Sequence, residues 1–92
     1  MSQEAAVLVG KKPPMNYVLA CLTSFHQGAV EVTIKARGQS ISKAVDVAEI
    51  VRRKFVPTAK IVEVSIGTEE IPLEESGTIK RSSSIMIRIS KT

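Results

Sequence analysis

Aromatic side chains are scarce in this 92-residue chain: Tyr17, Phe25 and Phe55 are the whole set, and tryptophan is absent. So few rings argue against a module that stacks bases on an aromatic platform, which needs exposed rings on a sheet. Cysteine and histidine occur once each, as Cys21 and His26. A lone cysteine closes no internal disulfide, so a reducing, intracellular setting is expected. One Cys and one His do not build a zinc site. The pairs Glu69, Glu70 and Glu74, Glu75 read as solvated loop carboxylates, not as a hard-cation site. Neither G-x-x-x-x-G-K-S/T nor G-x-G-x-x-G is present, so no nucleotide cofactor is implied and no metal is expected. Cys21 and His26 fall on one helix but offset from each other, with no carboxylate placed to orient the imidazole. The chain is therefore read as a non-enzyme, Cys21 as a small core residue and His26 as a solvated one. No segment approaches about 18 consecutive apolar residues, and no membrane role is expected. The expected location is the cytoplasm.

What is plentiful is aliphatic and basic. Hydrophobic residues make up 43% of the chain, enough for one core, and residues 1–92 read as a single domain. Thirteen Lys and Arg against nine Asp and Glu leave a net charge of +4, which points towards polyanions. The distribution is uneven. Residues 1–60 hold nine bases and four acids, residues 61–79 hold five Glu and no base, and Lys80, Arg81, Arg88 and Lys91 follow. A basic body with a locally acidic projection describes it.

The apolar pattern organises the chain. Residues 5–9 are a short, continuously apolar run, expected as a strand buried on both faces. Gly10, Lys11 and Lys12 turn the chain, and Pro13 and Pro14 suit the start of a helix. That helix carries Met15, Val18, Leu19, Leu22 and Phe25 as an apolar stripe and stops at Gly28. Residues 30–37 alternate Val30, Val32, Ile34 and Ala36 with Glu31, Thr33, Lys35 and Arg37, a strand with one wet face. A second helix over about 40–55 presents Ile41, Ala44, Val45, Ala48, Val51 and Phe55 on one side. Val47 and Ile50 widen its apolar surface beyond what one sheet needs, and Pro57 ends it. Arg52, Arg53 and Lys54 in its last turn read as surface charge suited to the dipole. Residues 61–67 and 83–89 are two further strands, with Val62, Val64, Ile66 and Ile85, Ile87, Ile89 expected to face inward. The connection between them is too long for a tight turn and predicts an extended hairpin arm with its tip near residues 74–77. The order β-α-β-α-β-β, with two crossover helices and a terminal hairpin, predicts an α/β two-layer sandwich on a mixed sheet.

Two turns concentrate positive charge. KARGQSISKAVD, residues 35–46, sets Lys35, Arg37 and Lys43 around a strand-to-helix joint. There the first N–H groups of the helix favour an anion. Gly38 leaves the backbone open to close approach. Ser40 or Ser42 is placed to cap the helix or to donate to phosphate. GKKPP, residues 10–14, is placed in the same way between an earlier strand and helix. Lys11, Lys12, Arg37 and Lys43 on one ledge would contact phosphates without reading sequence.

The blocks GKKPPMNYVLACLT and QGAVEVTIKARGQSISKAVDVAEIVRRKF resemble the Alba family of archaeal DNA- and RNA-binding chromatin proteins, over about residues 7–89. The resemblance implies a fold like the C-terminal domain of translation initiation factor 3, with an extended β3-β4 hairpin arm. It implies homodimers, or heterodimers with a paralogue, that bind double-stranded DNA and RNA in association with the chromosome. By the same resemblance Lys11, Lys12 and Arg37 are binding residues, and Lys80 and Arg81 are the basic residues of the returning arm. Lys11 is the candidate for acetylation, which implies an acetyltransferase and a deacetylase as partners. Phe55 matches an aromatic at dimer–dimer contacts. A ribonuclease P-like ribonucleoprotein scaffold is the alternative role. Two departures stand out. Gln39 replaces an arginine found in the best-known members, and Glu69, Glu70, Glu74 and Glu75 make the arm acidic.

Overall fold

A computed structural model describes residues 4–91. In chain order its elements are β1 (Glu4–Leu8), α1 (Pro14–His26), β2 (Glu31–Arg37), α2 (Ile41–Ile50), β3 (Lys60–Pro72) and β4 (Ile79–Ser90). A 3-10 turn at Gly38–Ser40 leads into α2, and a π turn at Val51–Phe55 leads out of it.

The strands lie in the order β1-β2-β4-β3, with β1 parallel to β2 and the other pairs antiparallel. This is the mixed sheet expected from the element order. The parallel β1–β2 pair needs a crossover, and α1 supplies it. Both helices pack on one face. Val7, Val32, Ile34, Ile87 and Ile89 from the sheet meet Val18, Cys21 and Phe25 from α1, with Ala44, Val47 and Ala48 from α2. Ile34 and Val32 are wholly buried on β2, and each such side chain contributes about 1.5–3 kcal/mol relative to exposure. Burial also pushes the Cys21 thiol up to about 12 from its ordinary 9.0.

The local signals behave as their chemistry requires. Pro14 occupies the first turn of α1, and the chain reverses at Gly28, whose φ of +106° is left-handed backbone. The N–H groups of Gly28 and Ala29 donate to the carbonyls of Phe25 and Ser24, satisfying the helix end.

Several expected faces are corrected. β1 is an edge strand with one buried side: Val7 is covered, while Leu8 is 74% exposed on the face without helices. On α1, Met15 and Leu19 are exposed, because Val18, Cys21 and Phe25 turn the buried stripe away from them. On α2 the positions exchange: Val47 is core, whereas Val45 and Phe55 are exposed. Ser40 stands at the N-cap of α2 without a side-chain capping bond, since the 3-10 turn already feeds the helix. The largest change is on β3. A bulge falls between Ile61 and Glu63, so Ile61, Val64 and Ile66 align with Ile89, Ile87 and Ile85. Val62, Val64 and Ile66 are nevertheless exposed, because β3 is the outer strand and the helices pack over β1, β2 and β4. Ile85, Ile87 and Ile89 do face inward.

Beyond the body, β3 and β4 stay paired out to Pro72 and Ile79 and form the expected arm. Its tip is closed by the Leu73 N–H donating to the Thr78 carbonyl at 2.8 Å and by Gly77 at φ +70°. The described residues measure 46 × 28 × 19 Å along their principal axes.

Candidate nucleic-acid interface

The two basic turns meet at one end of the sheet. From the first turn of α2, Lys43 Nζ donates to the backbone carbonyls of Gly10 and Lys12, both at 2.8 Å. From α1, the Tyr17 hydroxyl accepts the Lys12 N–H at 3.1 Å. The loop after β1 is thus held by two helices at once. Desolvation pushes the Tyr17 phenol up. The backbone bonds from Lys12 and Gly10, with the charges of Lys43 and Lys12, outweigh it and leave the group below its ordinary value.

Lys11, Lys35 and Arg37 line one cleft of about 760 Å³, with Leu8, Ile66 and Met86 as part of its apolar lining. Arg37 ends β2, and the chain then bends at Gly38, with φ +60°. A Cβ on Gly38 would sit 3.3 Å from Ser82 Oγ, so the β2–α2 joint passes close against β4.

Arg37 Nη1 donates to Glu69 Oε2 on β3 at 3.2 Å, and both side chains are exposed. One step along the arm, Arg81 and Glu70 are cross-strand partners, with Nε and Oε2 3.6 Å apart. Lys80 lies opposite Ile71. Lys80 and Arg81 therefore sit out on the arm, away from the cleft, and each acidic residue at 69 and 70 already faces an arginine. On the sheet face without helices, Arg88 of β4 reaches both Glu63 and Glu31 and ties β3 to β2. In the π turn, Arg52 and Arg53 both bond to Glu49 and hold its carboxyl below the usual range. The run 52–54 is thus partly internal to one helix surface.

Phe55 is 48% exposed at the far end of α2 and takes no part in the cleft. His26 is exposed and Cys21 is buried, so the two are not brought into one accessible site. Among the described residues, no group of three or more His, Cys, Asp and Glu gathers for a metal, and no helix is long and apolar enough to cross a membrane. Two participants escaped the sequence reading. Tyr17 carried a usable signal, an amphipathic ring near the start of a helix beside a basic loop. The Arg37–Glu69 contact carried none, because it depends on the register of the arm.

Comparison with known proteins supplies the family. The Alba family model matches residues 5–68. The chain is 58% identical over 72 residues to the DNA/RNA-binding protein Alba 1 of Archaeoglobus fulgidus, covering 78% of this chain and 81% of that protein. It is 50% identical over 91 residues to the DNA/RNA-binding protein Alba of Thermoplasma acidophilum, covering 99% of this chain and all of that protein, 100%. This chain belongs to the Alba family.

The solved structure of Alba from Thermoplasma volcanium superposes with a TM-score of 0.85 at 53% identity, over 92% of this chain and 98% of that one. The Alba fold is therefore matched over most of the chain. On it, Gln39 is exposed in the turn beside Arg37, and Glu69 is drawn back onto Arg37.

Proposed function

We propose that this chain binds the backbones of double-stranded DNA and RNA without sequence preference, as a chromosome-associated protein of the cytoplasm. The carrying observation is that Lys11 and Arg37, from turns remote in sequence, line the same cleft. Lys12 adjoins Lys11, and Lys80 and Arg81 would add contacts farther out on the arm, opposite Ile71 and Glu70. The curated relatives named above are DNA/RNA-binding proteins, which supports the same reading.

The working species in this reading is a dimer, either of two copies or with a paralogue. Its interface is the apolar edge of β3, where Val64 and Ile66 are exposed; Ile66 also lines the cleft, so the two clefts would adjoin the seam. Two basic clefts would then engage about six to eight phosphates, so affinity falls by about a thousandfold or more between 50 and 200 mM salt. Phe55 serves contact between dimers lying side by side. Acetylation of Lys11 removes one charge per subunit and weakens binding without touching the core.

The alternative, a scaffold subunit of a ribonucleoprotein, draws support from the acidic arm, where Glu69 already occupies Arg37. Gel shifts with unrelated duplexes and a structured RNA, across salt and in competition, test both readings. Lys11→Ala with Lys12→Ala is expected to weaken every duplex alike and to flatten the salt dependence. A loss confined to one sequence would refute backbone binding, and RNA retained against excess duplex would favour the scaffold.

A further inference from the structure

Lys43 lies among the basic residues of the interface, but its ammonium is already engaged. Both contacts of Nζ are backbone carbonyls, Gly10 and Lys12, at 2.8 Å, and Lys43 itself is half-buried. Bonds from an ammonium to carbonyls are charge-assisted and stronger than neutral ones. They span two elements far apart in the chain and bracket Lys11. From the other side, Tyr17 accepts the Lys12 N–H. Three hydrogen bonds thus fix a loop that has no regular structure of its own.

We propose that Lys43 and Tyr17 are positioning residues that hold the Gly10–Lys12 loop in its binding arrangement, and that Lys43 does not itself contact phosphate. This deepens the backbone-binding reading and rests on it. The mechanism is pre-organisation: a loop already shaped loses little freedom on binding. If Lys43 moved to a phosphate, two carbonyls would lose their donor and the loop carrying Lys11 and Lys12 would be released. The same geometry separates the lysines by chemistry. Neutralising Lys11 removes a contact, whereas neutralising Lys43 dissolves the support beneath two contacts.

The test combines a measurement on the free protein with a double-mutant cycle. In the uncomplexed chain, Lys43→Met is expected to lower the backbone order parameters of residues 10–12 towards about 0.6, the flexible range, while those of β2 and β4 stay unchanged. Tyr17→Phe removes the oxygen that accepts the Lys12 N–H and faces the Gly10 backbone, and is expected to speed exchange of the Lys12 amide. Lys43→Arg, which keeps a donor, is expected to restore much of the order. If the released loop holds its competent arrangement about one time in ten, Lys43→Met weakens duplex binding about tenfold. Measurement at about 150 mM salt keeps the screening length near 8 Å, which suppresses the effect of charge at a distance. In the Lys11→Ala, Lys12→Ala background, the added Lys43→Met is expected to change affinity by less than about twofold, the signature of action through the loop.

An equal loss in both backgrounds, with the loop still rigid, would identify Lys43 as a direct phosphate contact and overturn the proposal. Should Lys11→Ala with Lys12→Ala leave binding unchanged, the backbone-binding reading fails. The order parameters of the free protein then still decide whether Lys43 holds the loop. If Lys43→Met does not fold, Tyr17→Phe and Lys43→Arg carry the same two measurements, and a loop unaffected by Tyr17→Phe counts against the clamp.

Discussion

Arg37, at the end of β2, and Glu69, on the arm strand β3, form an ion pair of 3.2 Å between side chains 59% and 51% exposed. Such exposed pairs contribute only about 0–1 kcal/mol, so a phosphate displaces the carboxylate easily. The pair nevertheless places one negative charge where a phosphate would arrive.

Removing that charge should strengthen binding. Glu69→Gln is expected to raise affinity for duplex DNA about two- to fivefold at about 150 mM salt, in proportion to an exposed pair of this kind. Arg37→Ala should lower affinity, and the double variant should behave like Arg37→Ala alone. Fluorescence anisotropy titrations measure all three.

The exposed edge of β3 predicts association. Ile66 is 82% exposed and Val64 is 55% exposed, side by side on the helix-side face. Val64→Glu with Ile66→Lys is expected to leave the fold intact by circular dichroism. The sedimenting species should fall from twice the chain mass to the 10.0 kDa monomer. A wild-type chain already monomeric at micromolar concentration would remove the dimer from the proposal.

Cys21 sets a pH dependence. Its thiol is raised to about 12 in the folded chain, from an ordinary 9.0, through desolvation. Below pH 9 both folded and unfolded chains keep the proton, and this stabilising difference is fully present. As pH rises from 9 towards 12 the unfolded chain loses the proton first, and the contribution is lost at up to about 1.4 kcal/mol per pH unit. The stability gap between wild type and Cys21→Ala should therefore narrow over that window in denaturant titrations. The folded thiol should also resist alkylation at pH 8 until denaturant is added.

Gly38 should not tolerate a side chain. Its φ of +60° costs an L-residue about 1–2 kcal/mol, and an added Cβ would meet Ser82 Oγ at 3.3 Å. Gly38→Ala is expected to lower the thermal midpoint by several degrees, read by calorimetry.

Much of this molecule was decided by local pattern. Alternation along 30–37, prolines before one helix, Gly28 after it and the long acidic connection were enough for the element order, the mixed sheet and the arm. These signals are legible because each depends on neighbours within a turn or a strand, where periodicity and φ preference act directly. The basic residues of the candidate interface were named from the two basic turns and, for Lys80 and Arg81, from the family resemblance.

What the fold alone decided was where those residues stand and what they touch. Apolar content cannot reveal that β3 is an outer strand, so Val64 and Ile66 read as core until the sheet order leaves them uncovered. Nor can spacing reveal that Lys43, 33 and 31 positions from its two acceptors, spends its charge on Gly10 and Lys12, or that Glu69 reaches Arg37 from 32 positions away. Each of those contacts exists only once strand pairing and helix packing have brought remote segments within a few ångströms, which is a property of the assembled sheet and of no shorter stretch of chain.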